Sequence, residues 1–101
     1  MTVGNSTVTT IKPGRGAEAV AESKKFGEIV TRHGGRNVRS MLLMSSSPLR
    51  LVLSYEAEDQ GALGEISEKL LADAEIQKMM VETFGEGGTS SGYVSETWIE
   101  V

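Results

Sequence analysis

One histidine, one tryptophan, two tyrosines and no cysteine set the chemical repertoire of this 101-residue chain. His33 is the only side chain whose ordinary pKa lies near neutrality, which makes it the first candidate for a general base. In that role it needs a substrate within hydrogen-bond reach and preferably an orienting partner. It also ends a helical stretch, where a cation offsets the negative end of the helix dipole without doing any chemistry. Trp98 can stack on a planar ligand and donate its indole N–H, or pack in a core or a dimer seam. Tyr55 shares a strand face with Leu49, Leu51 and Leu53, so its ring packs on a helix while its hydroxyl can reach a pocket. His33, Tyr55 and Trp98 are the catalytic candidates. Tyr93 has the opposite strand parity to Trp98, so the two cannot line one side of that strand.

Other chemistries find less support. Arg36, Arg39 and Arg50 lie on adjacent strands and can clamp a carboxylate or phosphate, but acids such as Glu56 and Glu96 are available to pair with them across strands. Gly14-Arg15-Gly16 lacks the further glycine and the Lys-Ser/Thr pair of a phosphate loop. With one His, no Cys and no acidic pair at ligand spacing near that His, no metal site is expected. No cofactor is expected either. Met41, Met44, Met79 and Met80 can line an adaptable pocket, or more simply fill a core.

Composition bounds the rest. Hydrophobic residues make up 39% and charged residues 24%, as in an ordinary globular domain, and the length suits one domain over residues 1–101. Aromatics are only 5%, so the core has to be aliphatic. A net charge of −4 and the absence of any Lys/Arg run exclude nucleic acid as a natural partner. No apolar run approaches a membrane span, and the zero cysteine count fits a reducing compartment, so a cytoplasmic protein is expected.

The elements that must position these residues follow from changes of hydrophobic period. Met1–Asn5 reads as a loose lead-in and Ser6–Lys12 as a Thr-rich strand with one face not fully dry, broken at Pro13-Gly14. From Gly16 to His33 a helical face carries Ala19, Ser23, Phe26, Val30 and His33, and Gly34-Gly35 stops it. Gly27 lowers the helix propensity there and so points to a close approach of helix to sheet. Val38–Met44 and Leu49–Ala57, joined by a turn at Ser45–Pro48, read as a hairpin. A second helical region carries Leu63, Ile66 and Leu70. Asp73 can cap a further short helix with Ile76, Met79, Met80 and Phe84 on one face. Glu82–Gly92 reads as a flexible loop and Tyr93–Val101 as the last strand.

Strand–helix–strand–strand–helix–strand is the order of the ferredoxin-like α+β fold: a four-stranded antiparallel sheet with its helices on one face. The other face then holds either Val52, Met41 and Leu43, or Trp98 and Val94, according to parity. Neither set is wholly polar. A homodimer packed through the open sheet face is therefore expected.

Several stretches resemble the dimeric α/β-barrel proteins: Lys12-Pro13-Gly14-Arg15-Gly16, the helix end Arg32-His33-Gly34-Gly35, and Asn37–Met44. Asp73–Met79 is similar to their D-P-E-[FW]-Q-like run, with Ala74 in place of the Pro and Ile76 in place of the aromatic. Val94–Val101 looks like their last strand. NIPSNAP-like, antibiotic-biosynthesis-monooxygenase-like and stress-responsive barrel proteins belong to that group. The resemblance implies two βαββαβ copies forming a dimeric barrel, with a ligand pocket between sheet and helices in each. It does not carry over the haem-degrading activity of one branch, whose Asn/Trp/His set does not match Asn5, Asn37, Trp98 and His33 by position.

Three functional readings follow. The first is a homodimeric barrel binding a small apolar or aromatic molecule. The second is a cofactor-independent monooxygenase or isomerase acting on an aromatic or polyketide-like substrate, with His33 as base and Tyr55 and Trp98 as hydrogen-bonding aromatics. The third, haem binding, has only a helix-end histidine to offer as axial ligand.

Overall fold

Strand pairing decides which side chains share a row. The computed structural model describes residues 2–45 and 47–101. The chain runs β1 (Val3–Ile11), α1 (Gly16–Arg32), β2 (Arg36–Leu43), β3 (Arg50–Ala57), α2 (Gln60–Ala72), α3 (Ala74–Phe84) and β4 (Ser90–Ile99). Met1 and Ser46, which fall in the expected lead-in and the expected hairpin turn, lie outside the described residues. All pairings are antiparallel, in the order β2-β3-β1-β4. This is the ferredoxin-like arrangement, with the second helical region divided in two.

The helices cover the face carrying the odd-numbered residues of β1, β3 and β4. At one end Val3, Tyr55 and Ala57 pack with Val30 of α1 and Leu63 and Ile66 of α2. Toward the other end Ile11 and Leu51 pack with Ala19. A Cβ on Gly27 would lie 3.2 Å from Val38 Cγ1 and 3.7 Å from Leu53 Cδ1, so the missing side chain lets α1 sit close on the sheet. Nearby, the Ser23 and Ser40 hydroxyls meet at 2.8 Å and tie α1 to β2.

The uncovered face is ordered in rows. Met41 pairs with Val52, Val52 with Val8, and Val8 with Val94, so one apolar row crosses all four strands. A mixed row, Leu43, Arg50, Thr10 and Gly92, flanks it on one side and a polar row, Arg39, Ser54, Ser6 and Glu96, on the other. Beyond these, Trp98 stands opposite Gly4, and its indole N–H donates to Ser6 Oγ at 3.1 Å. A Cβ on Gly4 would come within 2.1 Å of the indole ring, so the ring occupies the space a side chain would take.

That packing corrects the reading of Met1–Asn5 as a lead-in: β1 begins at Val3, whose side chain is buried in the core. A Gly-Asn pair lowers strand propensity, and cross-strand burial overrides it. The Gly-rich stretch is also shorter than expected. α3 continues to Phe84 and β4 starts at Ser90, while the Lys12 N–H donates to Thr89 O at 2.8 Å and Arg15 Nη1 donates to Gly87 O at 3.1 Å. Met44 is 78% exposed and Met41 belongs to the open face, so neither fills the core. Near the start of β2 the register slips between Arg36 and Arg39, with Asn37 left-handed at φ 49° and its amide donating to Glu56.

Gly4→Ala is expected to lift the indole off β1 and break its bond to Ser6. Because Trp98 is the only tryptophan, emission should shift to the red, with a stability loss of about 1–3 kcal/mol in urea titration, typical of overpacking. Unchanged emission would show that the ring does not rest on Gly4.

Candidate functional site: a cavity between sheet and helices

The inner sheet face changes character across its width. β3 contributes Leu51, Leu53 and Tyr55; the residues paired with them on β1 are Thr9, Thr7 and Asn5, and those on β4 are Tyr93, Ser95 and Thr97. One half of the floor is thus aliphatic and the other carries hydroxyls and an amide. Over this floor lies a cavity of about 350 Å³, roofed by Phe26 and Val30 of α1, Leu70 of α2, and Met80 and Phe84 of α3. Phe84 and Tyr93 stack at a tilt, with ring centroids 5.0 Å apart, and form one wall. Thr7 and Ser95 satisfy each other at 2.8 Å, which keeps that part of the floor polar without leaving it unpaired.

The roof is shaped by a break at Asp73. Its extended backbone, φ −77° and ψ 117°, ends α2 and starts α3 in a new direction. Asp73 Oδ1 accepts from the N–H groups of Glu75 at 2.8 Å and Ile76 at 3.2 Å, capping α3 as its position in the sequence suggests. The other oxygen, Oδ2, lies 2.7 Å from His33 Nε2 and 3.5 Å from Arg32 Nη2. An ionised carboxylate can only accept, so His33 Nε2 carries the proton and donates. The hydrogen bond from His33, with those from the α3 backbone, holds the Asp73 carboxyl below its usual range.

The three sequence-derived candidates therefore occupy three places. His33 closes α1 and latches it to the α2–α3 junction; it does not line the cavity. Tyr55 lies on the floor, 5% exposed, and no described residue hydrogen-bonds its hydroxyl. No buried side-chain polar atom among the described residues lacks a partner, so that hydroxyl is not sealed off from its surroundings, and Tyr55 lines the cavity. Trp98 lies on the opposite face of the sheet. The fold does not bring the three together.

Sequence reasoning passed over Glu22, Asn5, Phe84 and Tyr93 as wall residues. Glu22 is the one with a legible signal: it falls between Ala19 and Phe26 at helical spacing, a carboxylate on the flank of the buried stripe. Oε2 accepts from the Thr83 hydroxyl at 3.0 Å and Oε1 from that of Thr89. Among the described residues no group of three or more His, Cys, Asp or Glu side chains gathers to hold a metal.

Because Asp73 titrates lower in the folded protein, its contribution to stability is complete above the unfolded value of about 3.9 and is lost as pH falls through the lower folded value. Asp73→Asn is accordingly expected to melt below the wild type at about pH 5, with the gap closing toward about pH 3. A gap that stayed constant over this range would contradict the latch.

Neither family models nor curated proteins match this chain. Solved structures do. A NIPSNAP family protein from Agrobacterium tumefaciens superposes with a TM-score of 0.77 at 12% identity, over 99% of this chain and 86% of that one. An uncharacterized NIPSNAP domain protein from Burkholderia xenovorans gives 0.69 at 19% identity, over 100% of this chain and 95% of that one. A putative antibiotic biosynthesis monooxygenase from Deinococcus radiodurans gives 0.72 at 10% identity, over 100% and 93%. Identities this low speak to architecture alone: the chain has the ferredoxin-like α+β fold that NIPSNAP and antibiotic-biosynthesis-monooxygenase-like structures share.

Proposed function

We propose that this protein is a cytoplasmic, single-domain homodimer that binds a small, flat, apolar molecule in the cavity between its sheet and helices. The cavity itself carries the reading. Its volume of about 350 Å³ is within the range of small-molecule sites, and its walls combine apolar side chains with a few placed polar groups. Among the described residues no helix is long and apolar enough to cross a membrane.

The dimer rests on the Met41, Val52, Val8 and Val94 row, where Val94 is 63% and Met41 41% exposed. An apolar band with charged and hydroxyl side chains on either side has the anatomy of an interface, dry in the middle and wet at the rim. A two-fold axis through the row lets one self-complementary contact cover both copies. Trp98 then belongs to the seam.

A cofactor-independent monooxygenase or isomerase is the second reading, favoured by the open Tyr55 hydroxyl and by the name of the Deinococcus neighbour. In that case Tyr55 orients the substrate. His33 is a poor base for a reaction inside the cavity, because it stands outside the lining. Haem is the weakest reading, since the one histidine available as axial ligand also stands outside that lining.

Naphthalene-sized compounds titrated into labelled protein should move the NMR signals of Leu53, Tyr55 and Phe84 together. Leu53→Trp, which fills the cavity, should weaken binding about tenfold or more while the fold persists. Shifts scattered over the surface, or indifferent to Leu53→Trp, would refute the cavity reading. For the dimer, Val52→Glu places two like charges near a desolvated two-fold contact, at a cost of several kcal/mol. Ultracentrifugation should show a dimeric wild type and a monomeric variant with its helix content retained; a monomeric wild type at micromolar concentration would sink the assembly.

A further inference from the structure

The cavity has one charged side chain in its lining, and it is an acid. Glu22 reaches it from α1, and no Lys, Arg or His of the described residues lines the same space. Nor does any cation among them lie within ion-pair distance of Glu22. Of the nearby cations, Arg15 acts on Glu22 only through its longer-range field, and the direct bonds of Arg15 and Lys12 go elsewhere. Arg15 holds Glu18 through two bonds, at 2.8 and 2.9 Å, and reaches the Gly87 and Gly88 carbonyls; Lys12 Nζ reaches the Gly85 carbonyl. Glu22 is instead held by hydroxyls, one from Thr83 of α3 and one from Thr89 just before β4. Those two donors fix the carboxylate but bring no compensating charge. A carboxylate has about four acceptor sites, so capacity remains on the cavity side.

A half-buried anion with no directly paired counter-charge gains most from a ligand that supplies one. The adjoining aromatic pair, Phe84 and Tyr93, offers ring faces to a cation as well as to an apolar body. The hydroxyl-bearing half of the floor, Thr7, Thr9 and Ser95, adds acceptors for further N–H groups. The same field opposes carboxylates and phosphates.

From this geometry we infer that the cavity selects protonated amines on a flat apolar body, with Glu22 as the anchoring counter-ion. The inference rests on the cavity being a ligand site and adds the ligand's charge and head group to it.

Matched probes separate the two claims: naphthylmethylamine, naphthylmethanol and naphthoate, titrated by calorimetry and followed by NMR at neutral pH. The amine should bind about tenfold or more tighter than the alcohol, with naphthoate weakest, and added salt should weaken the amine alone. Glu22→Gln keeps the side chain's size and an acceptor for the threonines. It should cost the amine about ten- to a hundredfold and leave the alcohol nearly unchanged. Equal binding of amine and alcohol, indifferent to Glu22→Gln, would overturn the amine inference and leave the cavity reading standing. Failure of all three probes to bind would overturn both. Should Glu22→Gln not fold, the wild-type order of the three probes and its salt dependence still decide the matter.

Discussion

Register is the constraint on which the other features of this molecule depend. β1 is held between β3 and β4, and from Val3 to Thr10 its pairing with both is free of slips. Side chains alternate along each strand, so an unslipped central strand sorts every residue of three strands onto one face or the other at once. On the inner face this aligns Leu53 with Thr7 and Ser95, producing a floor that is aliphatic on one side and hydroxylated on the other. On the outer face the same register aligns Val52 with Val8 and Val94, and β2 extends the row with Met41. A shift of one residue would send the hydroxyls outward and the valines inward, and would erase the cavity's polarity and the exposed band together.

The helices turn this patterned sheet into a container. α1 approaches closely because Gly27 leaves room, and the two shorter helices cover the other side of the floor from different directions because Asp73 interrupts them. Asp73 does this through one carboxylate with two tasks: one oxygen caps α3, and the other is tied to His33 at the end of α1. The roof is thereby joined end to end by a contact that lies outside the cavity lining. The histidine that stands out in composition is used in this joint, away from the cavity.

Chemistry inside the cavity is correspondingly sparse. Tyr55 presents a hydroxyl and Glu22 a charge, from opposite layers of the domain: the sheet beneath and α1 above. The cavity thus has a polar end as well as an apolar body, which is what the proposed ligand would meet. The fold neighbours share the architecture, but at identities of 10–19% they do not transfer a reaction to it.

Local sequence was enough for the order of elements, the stop at Gly34-Gly35, the cap at Asp73 and the alternation of β3, because each follows from periodicity or from the backbone preference of a few neighbouring residues. Parity also showed that one sheet face would remain uncovered and partly apolar. It could not show which face, since that depends on where α1 and α2 pack, and both parities of β2 are apolar at its centre. The same local reading failed at Gly4-Asn5, whose strand state comes from burial of Val3 and from Trp98 lying over Gly4, a partner far along the chain. It stopped short at His33 and Glu22 for a related reason. Whether a titratable side chain faces solvent, another side chain or a cavity is set by contacts across tens of residues, His33 with Asp73 and Glu22 with Thr83 and Thr89. Only the packed tertiary structure brings those partners together, because the energy that pays for burying a polar group comes from groups distant in sequence.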